Sequence, residues 1–336
     1  MKPNACDRNR RTLGKPGQSP AYRNSPGPFA KHSPISPGEA RSAIIETMYD
    51  EIAAVAGNQP LTGGHFILSV RSPRQAQEAR PGQFAMIRLL GHSDVLLRRP
   101  MSIYDVRPEV NGRQALSSNS GAPVVLDFLY KIVGRGTELM ATLRPGDKVG
   151  LLGPLGHGFF AEDYLAEARQ SDEVLHVAGG IGIAALVLPA RELTQAGVPQ
   201  RLFFGARTRD DLVGVDGFEP YVRETILATE DGSLGHRGYV TRPFEEHLCR
   251  RTGQRLLILA CGPWAMLEAA VALAQRYGQR CLVSMENRMG CALGVCLGCC
   301  IRVHGEGHGA YERVCTEGPV FWAEHVVWGK DALPKT

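Results

Sequence analysis

Glu286-Asn287-Arg288-Met289-Gly290-Cys291-Ala292-Leu293-Gly294-Val295-Cys296-Leu297-Gly298-Cys299-Cys300 is the stretch around which the chain is organised, with a further thiol at Cys315. Three cysteines spaced C-x4-C-x2-C and a distant fourth have the spacing of plant-type 2Fe–2S ligation. Such a cluster needs four thiolates converging on a small anionic object, so three must leave one tightly folded loop. Gly290, Gly294 and Gly298 suit that loop, because glycine lets backbone amides approach sulfur closely. A structural zinc knuckle on Cys296-x2-Cys299 is the competing reading. The glycine-laced C-x4-C-x2-C pattern favours the cluster, since zinc ribbons use paired CxxC. Cys300, one thiol beyond the pattern, reads as a small buried residue.

A chain of 336 residues is long enough for two or three domains. Hydrophobic residues at 43% against 21% charged give the balance of a soluble globular protein. The formal charge is only +4, part of it near the N-terminus, so nucleic acid is not an expected partner. No apolar run approaches the ~18 residues of a membrane span, and no secretory leader pattern opens the chain. Nine cysteines, gathered mainly in a metal-like group, point to a reducing cytoplasm rather than a disulfide framework. Residues 1–42 carry seven prolines and a single acidic residue, Asp7, before Glu39. That composition cannot build a core and reads as a disordered N-terminal extension, with a basic transit-like or interaction segment as the alternative.

Residues 43–162 read as an antiparallel β-barrel. Short β-rich runs, Phe66–Val70, Phe84–Leu89 and Val124–Val133, are separated by turn residues. Asn111–Pro123, polar and rich in Gly and Ser, reads as an extended hairpin loop. Three signals carry chemistry together. Arg99-Pro100-Met101-Ser102 sets a fixed cation and a hydroxyl on one stiffened strand, suited to a pyrophosphate and a flavin edge. Gly134-Arg135-Gly136-Thr137 opens an expected helix over Glu138–Leu143 and offers an anion site. Gly153-Pro154-Leu155-Gly156-His157-Gly158-Phe159 closes the unit as a glycine-rich turn. Each is weak alone, and an R-P-x-S is more often an ordinary edge strand. In this order they resemble the flavin domain of the ferredoxin–NADP reductase superfamily. The resemblance implies FAD, with Arg99, Pro100, Met101 and Ser102 at the isoalloxazine and phosphates. It also implies Leu129, Tyr130 and Lys131 at the flavin's outer half, and Gly136 and Thr137 at the pyrophosphate.

Residues 170–279 read as an α/β parallel-sheet unit. Strands are expected at Glu173–Ala178, Arg201–Arg207 and Arg255–Pro263, with helices at Ala184–Gln195, around Phe218–Arg223, and at Trp264–Tyr277. Gly179-Gly180-Ile181-Gly182, Gly205-Ala206-Arg207 and Cys261-Gly262-Pro263 each stand at a strand's carboxyl end, where open α/β sheets bind ligands. Gly-Gly-x-Gly is not the G-x-G-x-x-G fingerprint, and alone it reads as a tight βα turn. The full set is similar to the pyridine-nucleotide domain of the same superfamily, which implies NAD or NADP at Gly179, Gly180, Gly182, Gly205, Arg207, Cys261, Gly262 and Pro263. Cys261 is more simply a packed strand-end residue than a nucleophile. Arg207 and Arg209 suit a 2′-phosphate, whereas Asp210 and Asp211 repel one, leaving NAD and NADP both open.

The whole is a multi-domain chain: a barrel for FAD, an α/β nucleotide-binding domain, and a small 2Fe–2S segment over 280–336. Nicotinamide chemistry moves two electrons at once and an iron–sulfur centre moves one, so a flavin between them suggests an electron conduit. No stretch supplies an evident organic-substrate pocket with a general base, which points to a partner subunit. The domain order, the Glu-Asn-Arg-Met-x-Cys segment and Val314-Cys315-Thr316-Glu317-Gly318-Pro319-Val320-Phe321 are similar to the electron-transfer subunit family of class 1B dihydroorotate dehydrogenases, over residues from about 48 to about 328. The resemblance implies cluster ligands at Cys291, Cys296, Cys299 and Cys315. It implies electrons passing from dihydroorotate through FMN on a catalytic subunit, then the cluster and FAD, to NAD+, in pyrimidine biosynthesis. It further implies a cytoplasmic heterotetramer of two catalytic and two electron-transfer subunits. The N-terminal extension, the Asn111–Pro123 loop and Cys300 depart from the pattern. A flavin/iron–sulfur reductase serving a hydrogenase, a ferredoxin or another dehydrogenase is the alternative, and a zinc-stabilised interaction protein is the alternative of another class.

Overall fold

The computed structural model describes residues 48–108, 124–159, 164–305 and 310–329; the expected extension at 1–42 and the Asn111–Pro123 loop lie outside the described residues. Seven antiparallel strands form the first sheet: β1 (Tyr49–Pro60), β2 (His65–Arg71), β3 (Phe84–Leu89), β4 (Arg99–Ser102), β5 (Asp105–Arg107), β6 (Val125–Lys131) and β7 (Lys148–Leu155). Their order is β4-β3-β7-β1-β2-β6-β5, and the sheet rolls so that β4 also approaches β6, giving the expected barrel-like unit. Two short helices, α1 (Pro73–Glu78) and α2 (Arg135–Met140), lie beside it.

The two-residue period of β6 explains how this unit meets its neighbour. Leu126, Phe128 and Tyr130 fill the barrel core, while Leu129 on the opposite face packs with the core of the second unit. Asp127, also on that face, is buried but satisfied: Arg107 Nε donates to it at 2.6 Å and Ser69 Oγ at 2.5 Å.

The second sheet has order β11-β10-β9-β8-β12-β13-β16. Its members are β8 (Glu173–Gly179), β9 (Gln200–Ala206), β10 (Thr225–Thr229), β11 (His236–Arg237), β12 (Leu256–Cys261), β13 (Arg280–Ser284) and β16 (Val320–Trp322). All neighbours pair in parallel except β16, which runs antiparallel to β13. Helices α3 (Tyr164–Arg169), α4 (Val187–Gln195), α5 (Thr241–Arg250) and α6 (Trp264–Arg276) complete the unit. The hairpin of β14 (Cys300–Val303) and β15 (Ala310–Arg313) stands apart as a two-stranded sheet.

Four expectations are corrected. The helix expected over Glu138–Leu143 starts earlier, at Arg135, because the Thr137 hydroxyl accepts the amides of Val133 (2.8 Å) and Gly134 (3.2 Å) and pulls the chain into a turn there. Residues Gly153–Leu155 are strand rather than turn: β7 is paired on both sides, and the chain bends only at Gly156, whose φ is 82°. The helix expected from Ala184 begins as a 3₁₀ turn over Gly180–Ala185 and becomes α-helical only at Val187. The helix around Phe218–Arg223 shrinks to a 3₁₀ turn, Glu219–Tyr221, with Pro220 in its first turn and Phe218 held in the core.

His176, in the middle of β8, is fully buried with its ring edge-on to Phe218 at 5.0 Å. Its Nε2–H donates to Gln200 Oε1 at 2.8 Å, since the Gln200 amide group is committed as donor to Ala190 O, Thr194 Oγ1 and Tyr221 O. Burial pushes the imidazole down to about 4, and the Gln200 contact opposes this only in part. A depressed histidine leaves the unfolded state binding the extra proton between the two pKa values. Stability is therefore full above about 6.5 and is lost as pH falls toward about 4, by roughly 3 kcal/mol at most. Urea denaturation of His176→Gln at neutral and mildly acid pH should show that much less acid sensitivity than the parent chain; an unchanged slope contradicts the assignment.

Candidate functional site

The cysteine loop is wound tightly, with Ala292 (φ 58°), Gly294 (φ 73°) and Leu297 (φ 57°) all in the left-handed region. Alanine and leucine there cost on the order of 1–2 kcal/mol each, so the surroundings over-determine this loop. The amides of Leu293 and Cys296 donate to Cys291 Sγ at 3.3 and 3.4 Å. Missing side chains at Gly290 and Gly298 leave room beside Cys296, where a Cβ would come to 3.4 and 3.6 Å of its sulfur. Cys299 and Cys315 are buried, and Cys296 is exposed.

The thiols associate as two pairs, Cys291 with Cys296 and Cys299 with Cys315. Burial alone would raise Cys291, but the donated amides hold it down to about 7. Cys299 is held down to about 6 by the hydrogen bond from Cys315, whose own thiol is pushed up by the same contact. Two pairs of cysteines suit a two-iron cluster, which takes two ligands at each iron, better than one zinc ion needing four around a point. Among the described residues, no three His, Cys, Asp or Glu side chains gather around a single ion position. Cys300 turns away into β14 opposite Arg313, and is half-buried rather than buried as expected.

On the barrel, Arg99, Pro100, Met101 and Ser102 are half-buried along β4, an edge strand that tolerates a residue without an amide hydrogen. The Arg99 guanidinium lies directly over Gly136: a Cβ there would come within 2.1 Å of its Nε. Two signals far apart in sequence thus form one cationic corner at the start of α2, a chemistry that fits a pyrophosphate. The Thr137 hydroxyl is occupied with the turn it builds, donating to Gly134 O at 2.9 Å. Leu129 and Tyr130 point into cores, and Tyr130 stacks on Phe66 at 5.5 Å and donates to Asn58 Oδ1 at 3.2 Å. They can offer a cofactor only their backbone. Lys131 pairs with Asp211 across the boundary between the units.

At the carboxyl end of the second sheet, the Gly179–Gly182 turn and the Cys261–Pro263 turn are pressed together. A Cβ on Gly182 would sit 2.4 Å from the Cys261 carbonyl, and one on Gly179 would sit 2.6 Å from Met266 Sδ. Gly262 (φ 155°) closes against Gly179 in turn, and Pro263 caps α6. Gly180 is different, with φ 51° and nothing within 4 Å of a Cβ, so its backbone is open. Gly205 is filled from one side by Val240, 2.8 Å from where a Cβ would stand, which is a packing reason for that glycine. Arg207 is exposed beyond it. Cys261 is buried with its thiol pushed well up, chiefly by burial and then by Glu286, so it carries no nucleophile.

Two residues without a role in the sequence reading join Cys261. Ser284 lies opposite it in the β12–β13 register, and Glu286, its side chain reaching solvent, follows two residues later with its carboxyl raised by desolvation. Glu286 stands inside the quoted cysteine stretch, but its influence on Cys261 shows only once the fold brings the two near each other. The units are held together by Arg191, which pairs with Asp105 and donates to Val106 O at 3.2 Å, and by Thr62 Oγ1 donating to Asp210 O at 2.9 Å. A cavity of about 430 Å³ opens between them, lined by Pro60–Thr62 and Leu212–Asp216; none of the residues named from the sequence lines it.

A family model described as the iron–sulfur cluster binding domain of dihydroorotate dehydrogenase B matches residues 286–327. Curated relatives named dihydroorotate dehydrogenase B (NAD+), electron transfer subunit, include that of Desulforamulus reducens, 34% identical over 78% of this chain and 92% of the relative. That of Geobacillus kaustophilus is 38% identical over 76% and 90%. Among solved structures, an NADH-dependent reduced ferredoxin-NADP oxidoreductase shares 29% identity at a TM-score of 0.67, covering 83% of this chain and 90% of that one. A ferredoxin NADP+ reductase from Neisseria gonorrhoeae, 13% identical at a TM-score of 0.51, shares the fold. With relatives above 30% identity covered nearly end to end, the chain belongs to the dihydroorotate dehydrogenase B electron transfer subunit family.

Proposed function

We propose that this chain delivers reducing equivalents to NAD+ from dihydroorotate oxidised on a catalytic partner subunit, within a heterotetramer of two plus two in the cytoplasm. The observation that carries the reading is the tightly wound loop of Cys291, Cys296 and Cys299, with the Val314 amide bonded to the Cys299 carbonyl just before Cys315, on one scaffold with a cationic flavin corner and a glycine-lined sheet end. When bound, a flavin interconverts two-electron and one-electron chemistry and a 2Fe–2S cluster carries single electrons.

The chain's own residues supply binding and insulation. Arg99 over Gly136 holds the FAD pyrophosphate, and Pro100, Met101 and Ser102 line the flavin ring along β4. Lys131, drawn to Asp211, keeps the two units in register beside it. Gly179, Gly182 and Gly262 let the two strand-end turns close on each other, and the open backbone of Gly180 is where the dinucleotide would approach, with Arg207 at its outer end. Cys261 stays neutral, filling the strand end without competing for protons. Leu293, Val295 and Leu297, 46%, 78% and 61% exposed, ring the exposed Cys296 with apolar surface, a fitting docking rim for the catalytic subunit. No helix among the described residues is long and apolar enough to cross a membrane. A reductase serving a ferredoxin shares these features, and the likeness at a TM-score of 0.67 makes it the competitor to separate.

In this reading the domains divide at 43–162, 170–279 and 280–336, with β13 and β16 of the last segment lent to the second sheet as its edge. Cys296→Ser should then remove all cluster iron while the flavin absorbance stays, and in the complex it should abolish dihydroorotate-driven NAD+ reduction while NADH still reduces a dye. Loss of flavin together with iron would overturn the division. Gly182→Ala drives a Cβ into the Cys261 carbonyl and should cost about 1–3 kcal/mol and at least tenfold in NAD affinity. Gly180→Ala meets no atom and should cost only about 1–2 kcal/mol of backbone strain. Thermal melts and NAD titration of the pair check this; equal effects would remove the packing argument.

A further inference from the structure

Arg313 ends β15, opposite Cys300. Its Nη1 donates at 2.9 Å to the carbonyl of Gly294, which lies in the turn between Cys291 and Cys296. Its Nε and its own amide donate to Glu317 Oε2 at 2.8 and 2.7 Å, and Nη2 closes the fork on Glu317 Oε1. The Arg313 carbonyl in turn accepts the amides of Thr316 (3.2 Å), Glu317 (2.9 Å) and Gly318 (3.3 Å), so the segment carrying Cys315 wraps around this one residue. Gly294 has no spare room: a Cβ would come to 2.9 Å of Arg313 Nη1. The ion pair is largely shielded, with side chains 18% and 27% exposed.

One guanidinium therefore touches both halves of the thiolate set, the loop of the first two cysteines and the turn of the fourth. We propose that Arg313 and Glu317 form a charge brace that positions the cysteine loop against Cys315 and sets the reduction potential of the cluster held there. The proposal rests on the 2Fe–2S reading. Reduction adds one negative charge to an already anionic centre, so a nearby cation favours the reduced form and a carboxylate opposes it. In the pair the two effects largely offset. Removing either partner leaves the other uncompensated at a half-buried site, where screening by salt is weak.

The test is an anaerobic redox titration of the cluster, followed by its EPR signal, in the full complex, with iron content measured alongside. Glu317→Gln keeps the guanidinium and its tie to Gly294, and should raise the potential with iron retained. Arg313→Gln should lower it. Arg313→Lys keeps the charge but loses the fork, and should stay near the parent potential with an altered EPR line shape. Opposite signs for the two neutral variants are the signature of charge, which a purely structural tie does not give. An unshifted or lowered potential in Glu317→Gln overturns the brace even if Arg313→Gln loses its iron. Absence of iron from the parent complex would instead overturn the cluster reading beneath it.

Discussion

The amide of His157, where the barrel ends, donates to the Gly318 carbonyl at 2.6 Å, and two residues later Val320 pairs with Ser284 of the second sheet. Few residues of backbone thus hold all three units to one another, because Cys315 lies just upstream of the same segment. Gly156 shows how close the contact is: a Cβ there would meet Pro319 Cδ at 2.7 Å and Gly318 O at 2.8 Å. The strand of Val320–Trp322 gives the sheet its antiparallel edge, and the segment before it positions the fourth thiol. Fixed separations between units suit electron transfer, and this junction joins the units through backbone hydrogen bonds rather than through flexible side chains.

Around that junction the electrostatics divide cleanly. At the cysteine loop, donated amides hold the Cys291 thiol down and the hydrogen bond from Cys315 holds Cys299 down, which favours thiolate, the form a metal centre binds, at one member of each pair. At the end of β12, burial favours the neutral thiol of Cys261, and nearby Glu286 pushes in the same direction. The same residue type is therefore prepared for ligation in one place and made inert in the other. Between the barrel and the second sheet, Lys131–Asp211 and Arg191–Asp105 join the units by ions of opposite sign, each partly shielded.

What the sequence made legible was local chemistry. The C-x4-C-x2-C spacing, the strand-end glycines and the Arg99–Ser102 strand are short, and each carries its reason within a few residues. What stayed hidden depends on partners distant in sequence. Nothing near Gly205 announces Val240, nothing near Lys131 announces Asp211, and Gly136 is explained only by the guanidinium of Arg99. Ser284 acquires meaning through the register of β13 against β12, and Glu286 through its field at Cys261. Periodicity also gave Phe218–Arg223 a helix that Pro220 and the burial of Phe218 reduce to a single 3₁₀ turn. The strand Val320–Trp322 is three residues long, too short for any pattern to reveal.

The most direct measurement is dihydroorotate-dependent NADH formation by the complex that co-purifies with the tagged full-length chain, compared with the isolated chain. The account predicts activity in the complex and none in the chain alone. A complex that carries flavin and iron and oxidises NADH, yet ignores dihydroorotate, would contradict it and assign the conduit to a different dehydrogenase.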